Sequence, residues 1–266
     1  MIMSRTLGIA FGGSGAEAIA CIAYIRAMEE IDIKPDIVSG TGIGAVVAAM
    51  YAAGMASTAM VNFLKEIDFP GAKRPVNIAK LKDARQGILD GMGLEEYFQM
   101  VVPIKVFDRL YFPLKVVAAN YETGEEVLFA DGDVGAAVRS AVSVPGIFSP
   151  HEIGGAYYID GSCVNPVPFD VIRDDCDVLV AIDPSVNQDM SLQGGAPSVF
   201  GTLLSAFDAA RKALTIEKQR ACVVDLHERI VVDEITAYDF ARFEDIIASV
   251  EEKTESFKSA LLTLLR

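Results

Sequence analysis

Three short segments carry residue types that could act together on a carbonyl or an anion. The first, Phe11-Gly12-Gly13-Ser14-Gly15-Ala16-Glu17-Ala18, is a glycine-rich turn between an apolar run and a helical pattern. Backbone N–H groups at such a helix start suit a phosphate or an oxyanion. The second, Ser39-Gly40-Thr41-Gly42-Ile43-Gly44, has the frame of a nucleophile elbow, G-x-S-x-G, with Gly42 standing where the serine would be. The third, Ile159-Asp160-Gly161-Ser162, puts a carboxylate at the end of a strand pattern, and Asn165-Pro166-Val167-Pro168 fixes the chain direction beyond it. A turn of this kind normally exposes a hydroxyl; here it exposes only backbone. Each segment also has a plainer reading: a ligand-free glycine turn, a strand-to-helix connection, a structural Asp-Gly turn. Gly13 to Ala18 further fits the dinucleotide pattern G-x-G-x-x-G/A, with Asp32 or Asp36 about 20 residues on. A nucleotide such as NAD(P) is therefore an open alternative.

The elements that must position these segments alternate between strand and helix. Apolar strands are expected at 7–11, 36–39, 114–119, 156–159 and 178–182, and Thr123-Gly124 signals a hairpin to a strand at 125–129. Helices are expected at 16–31, 44–53, 58–68, 134–142, 198–217 and 240–265, with a turn at 70–75, a polar loop at 187–197 and an edge strand at 223–226. This alternation predicts an α/β fold with a largely parallel central sheet flanked by helices, in a single domain over 1–266.

Composition narrows the function classes. The chain has 266 residues, 52% of them hydrophobic, so a sizeable core is expected and disorder is not. The net charge of −14 argues against nucleic acid and against docking on anionic membranes. The apolar stretch around 45–53 is too short for a bilayer span, and the first residues lack a signal-peptide pattern, so a cytoplasmic protein is expected. Cys21, Cys163, Cys176 and Cys222 are scattered without a C-x-x-C pair and read as buried free thiols. The two histidines, His151 and His227, are too isolated for a metal cluster.

Together the three segments resemble the patatin-like phospholipase family: a glycine-rich loop near the start, an elbow 25–30 residues later and a late D-G-[GA]. Residues 116–126 (VVAANYETGEE) look like the family's central hairpin. Residues 137–150 (AVRSAVSVPGIFSP) look like the segment before its aspartate, and 237–247 (AYDFARFEDII) like the closing helix of small bacterial members. The resemblance implies a patatin-like three-layer α/β fold and a serine–aspartate hydrolase of lipid acyl esters. Such an enzyme needs no cofactor, no metal and no histidine. Carried over, Asp160 takes the aspartate role, Gly13, Ser14 and Gly15 take the oxyanion role, Gly40 and Gly44 flank the elbow, and the nucleophile position falls on Gly42.

The departures cluster. Against the family's loop of three glycines, a variable residue, a basic residue and a glycine, this chain has Ser14, Glu17 and Ala18, and its late triplet is Asp160-Gly161-Ser162. A carboxylate at Glu17 would repel a developing oxyanion if it turned inward, and would be harmless facing solvent. Thr41 sits one position early and Ser39 lower in the strand, so neither replaces the serine. The expectation is a former lipid hydrolase, a pseudoenzyme that binds an acyl ligand. The alternatives are an active phospholipase or esterase carrying a serine-to-glycine change, and the nucleotide protein.

Overall fold

The structure, a computed structural model, describes residues 5–13, 15–66, 92–186, 199–232 and 240–266. Its strands, in chain order, are β1 (Leu7–Phe11), β2 (Ile37–Thr41), β3 (Leu114–Asn120), β4 (Glu126–Phe129), β5 (His151–Ile153), β6 (Ala156–Asp160), β7 (Val178–Val186) and β8 (Leu226–Val232). All belong to one sheet. β3, β2, β1, β7 and β8 lie side by side and run parallel, while β4, β5 and β6 add antiparallel pairings at the β3 end. The helices are α1 (Cys21–Glu30), α2 (Gly42–Ala52), α3 (Ser57–Glu66), α4 (Met92–Val101), α5 (Val134–Ala141), α6 (Val199–Ala221), α7 (Phe243–Ala248) and α8 (Glu251–Leu264).

The strands are apolar on both sides because both faces are covered. Leu7, Ile9 and Phe11 of β1 and Val178, Val180 and Ile182 of β7 enter the larger core, packed with α1 and α2. The alternate residues Ala10, Leu179 and Ala181 enter a smaller core with Val167, Phe169 and Ile172. This period of two is the pleat of the strand. α2 has no polar face, and each of its residues is buried, as an all-apolar helix must be.

Two registers decide where the site forms. Val38 to Thr41 of β2 pair with Leu114 to Val117 of β3, and Asp160 to Tyr158 of β6 pair with Ala118 to Asn120. β4 pairs with Val116 to Ala119 and so overlaps both sets of rows. A strand has only two edges, so β2 and β6 share the edge opposite β4 and meet end to end. Thr41 and Asp160 therefore occupy adjacent rows, opposite Val117 and Ala118.

The elbow is held against β1 by close backbone approach. A Cβ on Gly44 would lie 2.4 Å from the Phe11 carbonyl oxygen and 2.5 Å from that of Gly12. Gly44→Ala is expected to cost roughly 3 kcal/mol or more, since backbone cannot give way as a side chain can. Gly93 of α4, where a Cβ would meet nothing, is the control, and Gly93→Ala should cost nothing. Urea midpoints of the two variants check this.

The structure moves several expected boundaries. The first helical segment splits into a 3₁₀ turn, Ala16–Ala20, followed by α1. The helix after the elbow begins at Gly42 itself, two residues before the expected start. The edge strand falls at Leu226–Val232 rather than 223–226, and the last helix divides into α7 and α8. β5 and α4 were not expected. The turn at 70–75, the loop at 187–197 and residues 237–239 lie outside the described residues. Of the four free thiols only Cys21 is buried; Cys163, Cys176 and Cys222 are partly exposed.

Candidate active site

Gly42 is the first residue of α2 and follows an extended Thr41 with φ −138°. Its own φ is +54°, in the left-handed region. An abrupt passage from extended strand through one left-handed residue into a helix is the elbow geometry, and it thrusts the turn residue out at the carboxyl end of the sheet. Gly40 lies in the sheet between Phe11 and Val116, and the Gly44 N–H donates to the Gly13 carbonyl at 3.2 Å. The elbow and the glycine loop are thus bonded to each other.

Asp160 ends β6 with no solvent exposure. Its Oδ1 accepts the Ser162 N–H at 2.7 Å, while Oδ2 makes no hydrogen bond among the described residues. A Cβ on Gly161 would lie 2.6 Å from Thr41 Oγ1, which places the start of the Asp-Gly turn against the end of β2. Burial pushes the Asp160 carboxyl up to about 6; the Ser162 donors and Arg211 pull it down, and Glu17 raises it again. The Asp160-Gly161 turn and the end of the strand that leads into the elbow therefore lie side by side.

Two backbone N–H groups of the glycine loop are already engaged. The Gly13 N–H donates to the Pro166 carbonyl at 3.2 Å. The Gly15 N–H donates to Glu17 Oε1 at 3.3 Å. Glu17 is buried, 1% exposed, and so turns inward rather than to solvent. Burial raises its proton affinity, Arg211 of α6 lowers it, and Asp208 raises it. Arg211 Nη1 stands 3.9 Å from Glu17 Oε1. Ser14 lies outside the described residues.

Among the described residues, Thr41, Ser39 and Cys163 are not placed as replacement nucleophiles. The Thr41 hydroxyl is buried, lies on the Gly161 side and has no hydrogen-bond partner among the described residues. Ser39 Oγ donates to the Pro168 carbonyl at 2.7 Å. The Cys163 thiol is pushed up to about 12, chiefly by burial and then by Asp160, so it is protonated at neutral pH. Sequence reasoning missed Arg211 altogether, because only folding brings α6 next to Glu17 and Asp160. Nor does the fold favour a dinucleotide. Asp36 precedes β2, at the opposite end of the sheet from the loop, and its Oδ2 accepts the Leu7 N–H at 2.7 Å. A ribose-binding acid belongs near the carboxyl ends of the strands.

A family model described as patatin-like phospholipase matches residues 9–173, well over half of the chain. The chain belongs to the patatin-like phospholipase family. The matched span holds the glycine loop, the elbow and Asp160-Gly161. An uncharacterised NTE family protein of Mycobacterium tuberculosis is 26% identical over 215 residues, covering 79% of this chain and 58% of that protein. A lysophospholipase NTE1 of Phaeosphaeria nodorum is 25% identical over 221 residues, covering 77% of this chain and 13% of that one. The chain thus spans little more than half the length of its first relatives. Among solved structures, VipD from Legionella pneumophila superposes with a TM-score of 0.51 at 15% identity, covering 95% of this chain and 67% of that one, and shares the fold. No helix among the described residues is long and apolar enough to cross a membrane.

Proposed function

We propose that this patatin-like chain has lost serine hydrolysis and persists as a pseudoenzyme on a lipid-hydrolase scaffold. The observation that carries the proposal is a pair of linked changes at one site. Gly42 holds the left-handed elbow position without a hydroxyl, and the Glu17 carboxylate occupies the Gly15 N–H. Each alone removes a part of acyl transfer. The first removes the nucleophile, whose loss typically costs on the order of 10⁶ in kcat for a serine protease. The second puts the Glu17 carboxyl group on a backbone donor of the loop that would otherwise face the developing oxyanion. A single serine-to-glycine change in an otherwise active enzyme would account for Gly42 but not for Glu17.

In this reading Asp160 is the family's aspartate, Gly13, Ser14 and Gly15 are the former oxyanion loop, and Gly40 and Gly44 are the elbow's flanks. The purified chain should release nothing above background from short p-nitrophenyl esters or from phospholipid vesicles. Turnover that disappears in Asp160→Asn would overturn the proposal. The scaffold's ligand class is an acyl lipid. Mass spectrometry of organic extracts of the purified protein should then find bound lipid near one per chain; its absence removes ligand binding and leaves lost hydrolysis standing.

A further inference from the structure

Asp160 is closed off from solvent, and its Oδ2 is buried without a partner among the described residues. A molecule that reaches this carboxyl needs an element above it to move. β3, α5 and α6 pack on the turn Gly161–Cys163 that follows Asp160. β3 and α5 are buried along most of their length. α6 is not: among its described side chains only Thr215 is buried. A cavity of about 80 Å³ lies between it and the carboxyl ends of β7 and β8, with Asp208, Arg211 and Lys212 on the helix side and Asp183, His227 and Arg229 on the sheet side. A void offers no atoms to attract, so α6 gains little packing there.

A helix held so loosely by apolar contact needs other ties, and those of α6 are ionic. Lys218 Nζ lies 2.5 Å from Asp170 Oδ2 and 3.2 Å from Glu126 Oε2. Asp170 begins the 3₁₀ turn Asp170–Asp175, and Asn165 Nδ2 donates to its other oxygen at 2.8 Å, which orients the carboxylate. Glu126 opens β4. One lysine thus ties α6 to two elements outside it. About two helical turns earlier, Arg211 faces Glu17 at 3.9 Å and acts electrostatically on both Asp160 and Cys163. The Lys218 side chain is 23% exposed, and those of Asp170 and Glu126 are 30% and 31% exposed. Salt therefore reaches these pairs and screens them.

We infer that α6 is a lid over the candidate site, latched by Lys218 on Asp170 and Glu126, and that this latch sets how often the Asp160 turn opens to small molecules. The inference does not rest on the loss of hydrolysis, because opening exposes the turn whether or not the site reacts.

Cys163 ends the turn beneath α6 and its thiol is only partly buried, so it reports opening. Cys176, beside Gly8 at the opposite end of the sheet, is the control. Alkylation of the full chain by iodoacetamide, followed at each cysteine by mass spectrometry, tests the latch. In K218Q, Cys163 should react about fivefold faster than in the wild-type chain, as the loss of a partly exposed pair allows. K218R keeps the cation and should keep the wild-type rate. Raising sodium chloride from about 0.05 M to about 1 M should speed Cys163 several-fold in the wild-type chain and much less in K218Q. Cys176 should change by less than about twofold throughout. If K218Q fails to fold, the salt series on the wild-type chain decides. The inference is overturned if Cys163 keeps its rate in K218Q or in high salt, if K218R reacts as fast as K218Q, or if Cys176 accelerates with Cys163, which marks general loosening.

Discussion

Gly42→Ser alone is expected to leave ester hydrolysis within a few-fold of the wild-type background, whereas G42S/E17A should exceed the single variant by about 100-fold or more. The elbow already holds φ +54° at residue 42, so a serine there inherits the geometry of the family's nucleophile. The left-handed conformation costs a non-glycine residue roughly 1–2 kcal/mol, which the surrounding buried elbow must absorb. Asp160 Oδ2 makes no other hydrogen bond among the described residues. What the single variant still lacks is the oxyanion donor, because the Gly15 N–H remains bonded to Glu17. Removing the carboxylate frees that N–H, and one such donor is worth about 10²–10³ in kcat. Initial rates with p-nitrophenyl butyrate on the two variants read the difference. High activity in G42S alone would mean that Glu17 does not block the loop.

Asp160→Asn should stabilise the protein at pH 8 by up to about 3 kcal/mol. The Asp160 carboxyl ionises at about 6 in the folded chain, against an ordinary value of 3.8. Each unit of such a difference is worth about 1.4 kcal/mol. A raised carboxyl means that the folded state binds the proton more tightly than the unfolded state. Its contribution is fully present below about pH 4 and is lost as the pH rises through about 6. Asn keeps an acceptor for the Ser162 N–H and removes the buried charge. The stability difference between D160N and wild type should therefore grow from near zero at pH 4 to its full value above pH 7. Subtracting the two urea curves separates Asp160 from Asp177 and Asp225, which shift in the other direction, and reads it together with its coupling to Glu17. Destabilisation by D160N at pH 8 would contradict a net cost of burying this carboxylate.

The parallel sheet was legible because β1, β3 and β7 are apolar runs of strand length bounded by turn residues, and the intervening helices announce crossovers. The elbow and the Asp-Gly turn were legible because glycine and proline act locally. β8 was displaced in the sequence reading because Leu226-His227-Glu228-Arg229 looks polar; its charged residues are tolerated only because they line a cavity and the edge of the sheet. β5 is three residues long and has no period to detect. The orientation of Glu17 could not be read from sequence. It depends on the loop turning its side chain under α6, where Arg211 meets it, and those two residues are far apart in the chain. The end-to-end meeting of β2 and β6 is likewise a matter of register, which no local pattern encodes.

Intact-mass measurement after treatment with a fluorophosphonate, which phosphonylates an activated hydroxyl, tests the loss of the nucleophile most directly. The wild-type chain should gain no mass, while G42S/E17A should gain one adduct at residue 42. A stoichiometric adduct on the wild-type chain, mapped to Thr41, Ser162 or another hydroxyl and lost in D160N, would show that the scaffold still holds a working nucleophile.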